Sequence, residues 1–218
     1  MQILFSDNHI IVAEKPRGLL TQPTPEREQS LEKEVKAWVK KTYGKTGEVF
    51  LHVVHRLDQV VSGIVLFAKT SKALERLNAS QRQKQFVKVY IAEVQGLVKE
   101  DKKLLKHYLS HDDHKALAYD HPRPDALESL LKYEVLERKT HSTVLKIQLE
   151  TGRYHQIRAQ MKAIGHPIIG DVKYSAKKID DEGIYLHHAI LEFDHPVTKE
   201  KIKIVSPPDF FSSFKPND

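Results

Sequence analysis

The stretch HRLDQVVSGIVLFAKT, residues 55–70, decides the fold prediction. Its second half, from Ile64 to Ala68, is an unbroken apolar run, which predicts an interior strand. Two charged side chains, Arg56 and Asp58, stand shortly before that run. Because a buried charge must be paired or hydrogen-bonded, an aspartate at the mouth of such a strand needs a structural or chemical reason. We therefore take the HRLD turn as the first candidate site.

Strand-like segments surround this stretch in both directions along the chain. They are predicted at Ile3–Phe5, Ile10–Glu14, 50–54, 63–69, 86–96, Leu131–Arg138, Thr143–Glu150, Ile184–Phe193 and Lys201–Val205. Helices are fewer: one begins after the N-cap Ser30, one is capped by Ser71, and a short one lies within 152–164. Residues 99–128 are polar, and we expect a protruding hairpin or loop there. Many strands with scattered helices favour an α+β fold, with a mixed, mostly antiparallel central sheet flanked by helices and loops.

Composition narrows the class of protein. The 218 residues carry a net charge of +6, which suits a polyanionic partner such as nucleic acid, although a merely basic protein has the same charge. The absence of cysteine excludes disulfides and a thiolate nucleophile. No apolar run reaches the length of a membrane span, and the first residues lack the order of a signal peptide. We expect a cytoplasmic monomer with no membrane partner, folded as a single domain over 1–218.

The sequence offers little to a metal ion or a nucleotide cofactor. Histidines are numerous, and His55 and Asp58 lie close together, but neither HExxH nor paired CxxC is present. The glycine-rich loops GxGxxG and GxxxxGK[ST] are also missing. We therefore expect no metal and no cofactor. A phosphate-handling hydrolase, which would need metal-ligand spacing, is disfavoured for the same reason.

A second stretch, TGRYHQIRAQMKAIGHPIIGDVKY at 151–174, concentrates polar side chains at a helix start. These side chains are Arg153, His155, Gln156 and Arg158. A helix N-terminus favours anions, although a solvated basic helix end is the simpler interpretation of this segment alone. Apolar residues at helical spacing, Ile157, Met161 and Ile164, predict one buried face beside Arg158. A partly buried Arg158 would need a carboxylate, and Asp58 is a candidate for that partner.

Both stretches resemble signatures of the pseudouridine synthases of the large ribosomal-and-transfer-RNA family. The first is similar to HRLDxxTSGLLLLAK, and the second to GRTHQIRxHLxxxGHPIxGDxxY. The early EKPRGLLTQP resembles the family's KPxGLLxxP element, and FVKVYIAEVQG resembles the strand that carries an active-site tyrosine. HHAILEFDHPVTKEKIKIVSPPDF resembles its closing strands. The likeness runs in order from about residue 2 to residue 210.

The resemblance implies a pseudouridine synthase catalytic fold and its reaction. The N1–C1′ bond of a uridine is broken, the base rotates, C5 joins C1′, and the C5 proton leaves, without a cofactor. It assigns Asp58 as the catalytic carboxylate, Arg158 as the cation that keeps Asp58 ionised, and Tyr90 as the ring that packs on uracil. The implied partner is RNA, an rRNA and/or tRNA stem-loop. The expected RNA-binding residues are Arg56, His55, Arg153, His155, Gln156 and Lys15, with Arg56 entering the space that an extruded base vacates.

Two positions depart from the family pattern. Val61 stands where the TSG triplet has Thr, and Tyr154 replaces the Thr of GRTHQIR. Both leave the charged residues unchanged, so we expect them to tune substrate fit. Many relatives also carry an N-terminal RNA-binding module of the S4 type, which we do not expect in this chain. The alternative function is a catalytically silent RNA-binding protein on the same fold, against which the complete set of Asp58, Tyr90 and Arg158 argues.

Overall fold

The computed structural model describes residues 1–179 and 183–215, which form two compact units. The first consists mainly of Met1–Val87 and His188–Pro207, and the second of Lys88–His187 and Pro208–Phe214. The described residues contain eleven strands and three α-helices.

The elements of the amino-terminal part are β1 (Gln2–Ser6), β2 (Ile10–Lys15), α1 (Leu31–Tyr43), β3 (His52–Val53), β4 (Ser62–Ala68) and α2 (Ser71–Arg82). There follow β5 (Val87–Gln95), β6 (Lys102–Asp112), β7 (Lys115–Tyr119), β8 (Ala126–Arg138), β9 (Ser142–Leu149) and α3 (Gln156–Ala163). A 3-10 turn (Val172–Tyr174), β10 (Leu186–Asp194) and β11 (Lys201–Val205) complete the chain.

Strand β4 is the centre of the first unit. All seven of its residues are buried, as its apolar sequence predicts. It lies between β2 and β10, while β3 also pairs with it and β11 pairs with β10. The β1–β2, β2–β4, β3–β4 and β10–β11 pairs are antiparallel. A buried apolar cluster joins β4 to helix α2 through Leu66 and Leu77.

Helix α1 begins as predicted, because the Ser30 side chain accepts a hydrogen bond from the Lys33 amide. Helix α2 differs by one residue. Thr70, not Ser71, is its N-cap and accepts from the Ala73 amide. Thr70 and Ser71 both carry a hydroxyl group and precede the same apolar pattern. The sequence pattern therefore does not distinguish between these two adjacent candidates for the N-cap.

The second unit is an antiparallel sheet in the order β5–β9–β8–β6–β7. Helix α3 packs against it: Ala159 joins a buried cluster with Leu109, Ala116 and Tyr174. Much of the polar segment 99–128 is strand, since it contains β6, β7 and the first residues of β8. Of the two alternatives expected for residues 99–128, a hairpin or a loop, the structure therefore shows the hairpin.

The α+β prediction is confirmed, since helices are few and the strand pairs whose direction is given above are all antiparallel. Within residues 1–179 and 183–215, no helix combines the length and the apolar character that crossing a membrane requires.

Candidate active site

The HRLD turn is fixed by the KPRGLLT loop that precedes helix α1. The Thr21 hydroxyl donates to the Leu57 carbonyl at 2.8 Å and accepts from the Leu57 amide at 3.2 Å. The Gly18 amide donates to the Gln59 carbonyl, and the Gln59 side-chain amide donates to the Gly18 carbonyl, both at 3.0 Å. These four bonds bracket Asp58, whose side chain stays partly accessible. The turn therefore presents a carboxylate from a backbone that is held on both sides.

Lys15 lies beneath this turn and is completely buried. Its Nζ donates to the carbonyls of Pro16, Leu19 and Gln59 at 3.0, 2.7 and 3.0 Å. Burial lowers the pKa of Lys15 to about 7, while the nearby charge of Asp58 acts in the opposite direction. Three acceptors match the three N–H groups of an ammonium ion. Lys15 thus joins the KPRGLLT loop to the HRLD turn from the interior, and in its protonated form it places a positive charge near Asp58.

Two histidines hold the start of β4. The His55 Nε2 and the His188 Nδ1 lie 3.1 and 2.7 Å from the same Ile64 carbonyl oxygen, so each donates to it. Their rings meet edge to face at 5.3 Å. Gly63, next to this carbonyl, has φ +115°, and the backbone of His188 crosses directly over it. A side chain would not fit there, which explains the glycine of the SGIVLFA run.

In the second unit, Arg158 forms a bidentate ion pair with Asp171. The guanidinium Nε and Nη2 donate to the two carboxylate oxygens at 2.7 and 2.9 Å. The two residues are only 4% and 1% exposed, and the guanidinium also lies over the Tyr174 ring at 5.0 Å. The carboxylate that a buried Arg158 requires is therefore present in its own unit. Sequence reasoning missed Asp171, although it is the Asp of the GDVKY segment.

The loop before α3 is held by buried side chains. The Gln156 side-chain Oε1 accepts from the Arg153 amide at 3.0 Å and from the Thr151 hydroxyl at 2.8 Å, while its Nε2 donates to the Leu130 carbonyl. His155 has a left-handed backbone with φ +50°, which is uncommon for a residue other than glycine. Its Nδ1 lies 2.9 Å from the Tyr174 hydroxyl. Strain of this kind persists only where the surrounding structure enforces it.

Tyr90 lies on β5, opposite Ile147 of β9, and is 7% exposed. Lys88, two residues earlier, points to the same side of the strand. Burial lowers the pKa of Lys88 to about 8. Lys88 thus combines a lowered pKa with a place on the same side of β5 as the candidate catalytic Tyr90. It is a functional candidate that was not predicted from the sequence.

The predicted RNA-binding residues divide by exposure. Arg56 and Arg153 are exposed, as contacts with RNA require. His55, His155, Gln156 and Lys15 are buried, at 8%, 8%, 3% and 0%. In this structure they position loops. The Lys15 Nζ is directed at three carbonyls, and its contact with RNA stays a prediction. The described residues contain no cluster of three metal-ligating side chains.

Comparison with known proteins identifies the family to which this chain is similar. A family model described as RNA pseudouridylate synthase matches residues 9–163. The "Uncharacterized RNA pseudouridine synthase YlyB" of Bacillus subtilis is 34% identical over 95% of this chain and 69% of its own length. The "Dual-specificity RNA pseudouridine synthase RluA" of Pasteurella multocida is also 34% identical, over 96% of this chain and 94% of its own length.

A solved structure, "Human RNA Pseudouridylate Synthase Domain Containing 4", superposes with a TM-score of 0.79. It covers 96% of this chain and 89% of its own, and at 24% identity it supports the fold alone. Family model, relatives and fold agree with the resemblance inferred from the two motifs. The chain belongs to the RNA pseudouridylate synthase family, and within it to the RluA-type RNA pseudouridine synthases, and it is therefore an RNA-modifying isomerase.

Proposed function

We propose that the chain converts uridine in ribosomal or transfer RNA to pseudouridine and that Asp58 is its catalytic carboxylate. The observation that carries the proposal is the set of hydrogen bonds that fixes the backbone of the HRLD turn. Thr21 and Gly18 fix the backbone on either side of Asp58, and the carboxylate remains partly accessible. A group that must attack or deprotonate a nucleotide needs this combination of fixed backbone and access.

The remaining roles follow from the family motifs and local geometry. Arg56 is exposed beside Asp58 and has the reach to stack on or hydrogen-bond to the bases around an extruded uridine. Tyr90 packs on the uracil ring and relays a proton. Arg158 is the cation that keeps Asp58 ionised, and Asp171 fixes the orientation of its guanidinium.

Location and assembly are part of the same proposal. Ribosomal and transfer RNA are the expected substrates, so we place the enzyme in the cytoplasm. We also propose that residues 1–218 act as one catalytic domain and as a monomer. Light scattering on purified protein, with and without RNA, measures the mass and would reveal a dimer.

The decisive experiment uses bulk RNA carrying tritium at C5 of uridine. Isomerisation releases that tritium, because C5 loses its proton when it becomes the glycosidic carbon. Asp58→Asn should lower the release by more than about a thousand-fold, as loss of a catalytic nucleophile or base does. The circular dichroism spectrum and RNA affinity should stay unchanged. Asp125→Asn, which changes an exposed carboxylate, is the matched control.

Retained release by Asp58→Asn would remove Asp58 from the mechanism. Absence of release by the wild-type protein, with intact RNA binding, would instead favour a silent RNA-binding protein.

A further inference from the structure

Tyr154 is a large aromatic residue that the candidate chemistry does not use. It lies in the loop between β9 and α3, and 45% of its surface is exposed. Its ring stacks on the ring of His155, with centroids 3.8 Å apart and an interplanar angle of 18°. His111, exposed at the end of β6, meets the Tyr154 ring at 4.7 Å and 65°. The β9–α3 loop and strand β6 therefore place Tyr154 and His111 side by side at the surface, and these two residues are called the aromatic pair below.

The ring beneath Tyr154 is fixed from below. The Tyr174 hydroxyl accepts from the Ala116 amide at 2.8 Å, so its own proton is available to the Nδ1 of His155 at 2.9 Å. With the Tyr174 hydroxyl as donor, the Nδ1 of His155 is the acceptor of this bond, and the imidazole ring is fixed on the side away from Tyr154. His155 also has the strained left-handed backbone described above, which Gln156 helps to hold. The support of Tyr154 is thus preorganised, and little conformational freedom would be lost when a ligand stacks on it.

The charges around the pair are mixed. Arg153 precedes Tyr154 in the chain, and the Lys173 Nζ donates to the His114 carbonyl at 3.2 Å in the turn that follows β6. Asp112 is the last residue of β6, and Asp113 follows it in the turn to β7. A surface of this kind does not select a phosphate by charge alone. It matches a flat, uncharged ring, and nucleobases stack on aromatic side chains in this way.

The position of the pair relates it to the reaction. His155 immediately precedes α3, and Arg158 lies in the first turn of that helix. The contacts run from Tyr154 through His155 and Tyr174 to Arg158 without a gap. A nucleotide held by Tyr154 would thus be connected to the candidate catalytic arginine through the His155 and Tyr174 rings.

We propose that Tyr154, supported by His155 and flanked by His111, is a stacking site for a nucleobase of the substrate RNA other than the modified uridine, and that it contributes to the choice of substrate. The inference rests on the proposed function, since it takes RNA as the substrate. Tyr154 also stands where the family motif has Thr, so the site belongs to this chain's own sequence.

The test couples the side chain to a base. The probe is a stem-loop RNA with a uridine-containing loop, compared with versions in which one loop nucleotide at a time is abasic. In the wild-type protein, one abasic position should weaken binding by roughly five-fold or more, the range for loss of a base stacked on an aromatic ring. Tyr154→Leu should weaken binding to the intact loop by the same factor and should be insensitive to that abasic position. Tyr154→Phe should behave as wild type.

Phe50→Leu is the matched control, because Phe50 is 42% exposed and its ring lies 4.4 Å from that of His52. It should respond to abasic positions as the wild type does. The inference is overturned if Tyr154→Leu keeps the wild-type affinity, or if it loses affinity equally for every abasic loop. Tritium release by the wild-type protein is measured in parallel. Its absence would contradict the proposed function, whereas its presence with an unaltered Tyr154→Leu would contradict only the stacking site.

Discussion

At the scale of single residues, the buried Arg158–Asp171 pair has the clearest energetic consequence. Both groups are removed from water and satisfy each other through two charge-assisted bonds. Removing one partner takes away the two bonds that compensate the burial of the other charge, which costs about 3–5 kcal/mol. Arg158→Met and Asp171→Asn should each lower the free energy of unfolding by that amount in urea titrations. The double variant should lose clearly less than the sum of the two losses.

Additive losses would mean that the pair does not stabilise the fold as a unit. The pairing of Arg158 with Asp58, expected from the sequence, stays a prediction. The same cycle with Asp58→Ala in place of Asp171→Asn tests it. If Asp58→Ala does not reduce the effect of Arg158→Met on the free energy of unfolding, those two residues are not coupled.

Lys88 should make stability depend on pH in an unusual direction. Its pKa is about 8 in the folded chain and 10.5 when exposed. Between these values the unfolded state binds more protons than the folded state, so stability rises with pH. Below pH 8 both states are charged, and burial of the charge has its full cost.

Lys88→Met should therefore be more stable than wild type at pH 7, by roughly 1–3 kcal/mol. The advantage should shrink as the pH rises from 8 to 10.5. Urea unfolding of both proteins at three pH values within and below this window measures the difference. A difference that is constant over the window would show that Lys88 titrates normally.

At the scale of elements, the close crossing of β10 over Gly63 of β4 defines the middle of the first unit. A Cβ at position 63 would lie 2.5 Å from the His188 backbone nitrogen, and φ is +115°. Gly63→Ala therefore combines backbone strain with overlap against main chain that cannot rotate away, and should cost roughly 3 kcal/mol or more. Gly47→Ala is the control, because nothing lies within 4 Å of a Cβ at that position. Equal melting temperatures for the two variants would contradict this account.

The elements also indicate why the sequence analysis succeeded unevenly. Strand β4 is apolar from Ile64 to Ala68, so the burial of that part could be predicted from composition alone. Strand β6 could not, because Leu104 faces outward at 53% exposure while His107 is buried. The His107 Nδ1 is 3.0 Å from the buried Gln160 amide nitrogen, so a polar partner on α3 satisfies it. An inverted pair of this kind conceals the two-residue period.

The candidate site was also predicted from the sequence only in part. Short motifs identify Asp58, Arg158 and Tyr90. The roles of Lys15 and Asp171 could not be predicted, since each depends on partners brought close by folding: the Gln59 carbonyl 44 residues beyond Lys15, and the Arg158 guanidinium before Asp171. Sequence identifies the charged residue, but burial decides whether it contacts RNA or another part of the chain.

At the scale of the whole molecule, the net charge of +6 should govern how RNA affinity depends on salt. Each phosphate neutralised by Lys or Arg contributes a slope of about −0.7 for single strands in a plot of log K against log salt concentration. Arg56→Gln and Arg153→Gln remove exposed charges and should each make the slope shallower by about one such increment.

Tyr154→Leu should lower affinity at every salt concentration with the slope unchanged, because stacking releases no counterions. Asp58→Asn should alter neither quantity. Fluorescence anisotropy with one stem-loop RNA over a series of salt concentrations measures all four variants. A slope that changes with Tyr154→Leu would mean that the ring acts by positioning Arg153, and a flat wild-type slope would mean that the charge of the chain does not serve RNA binding.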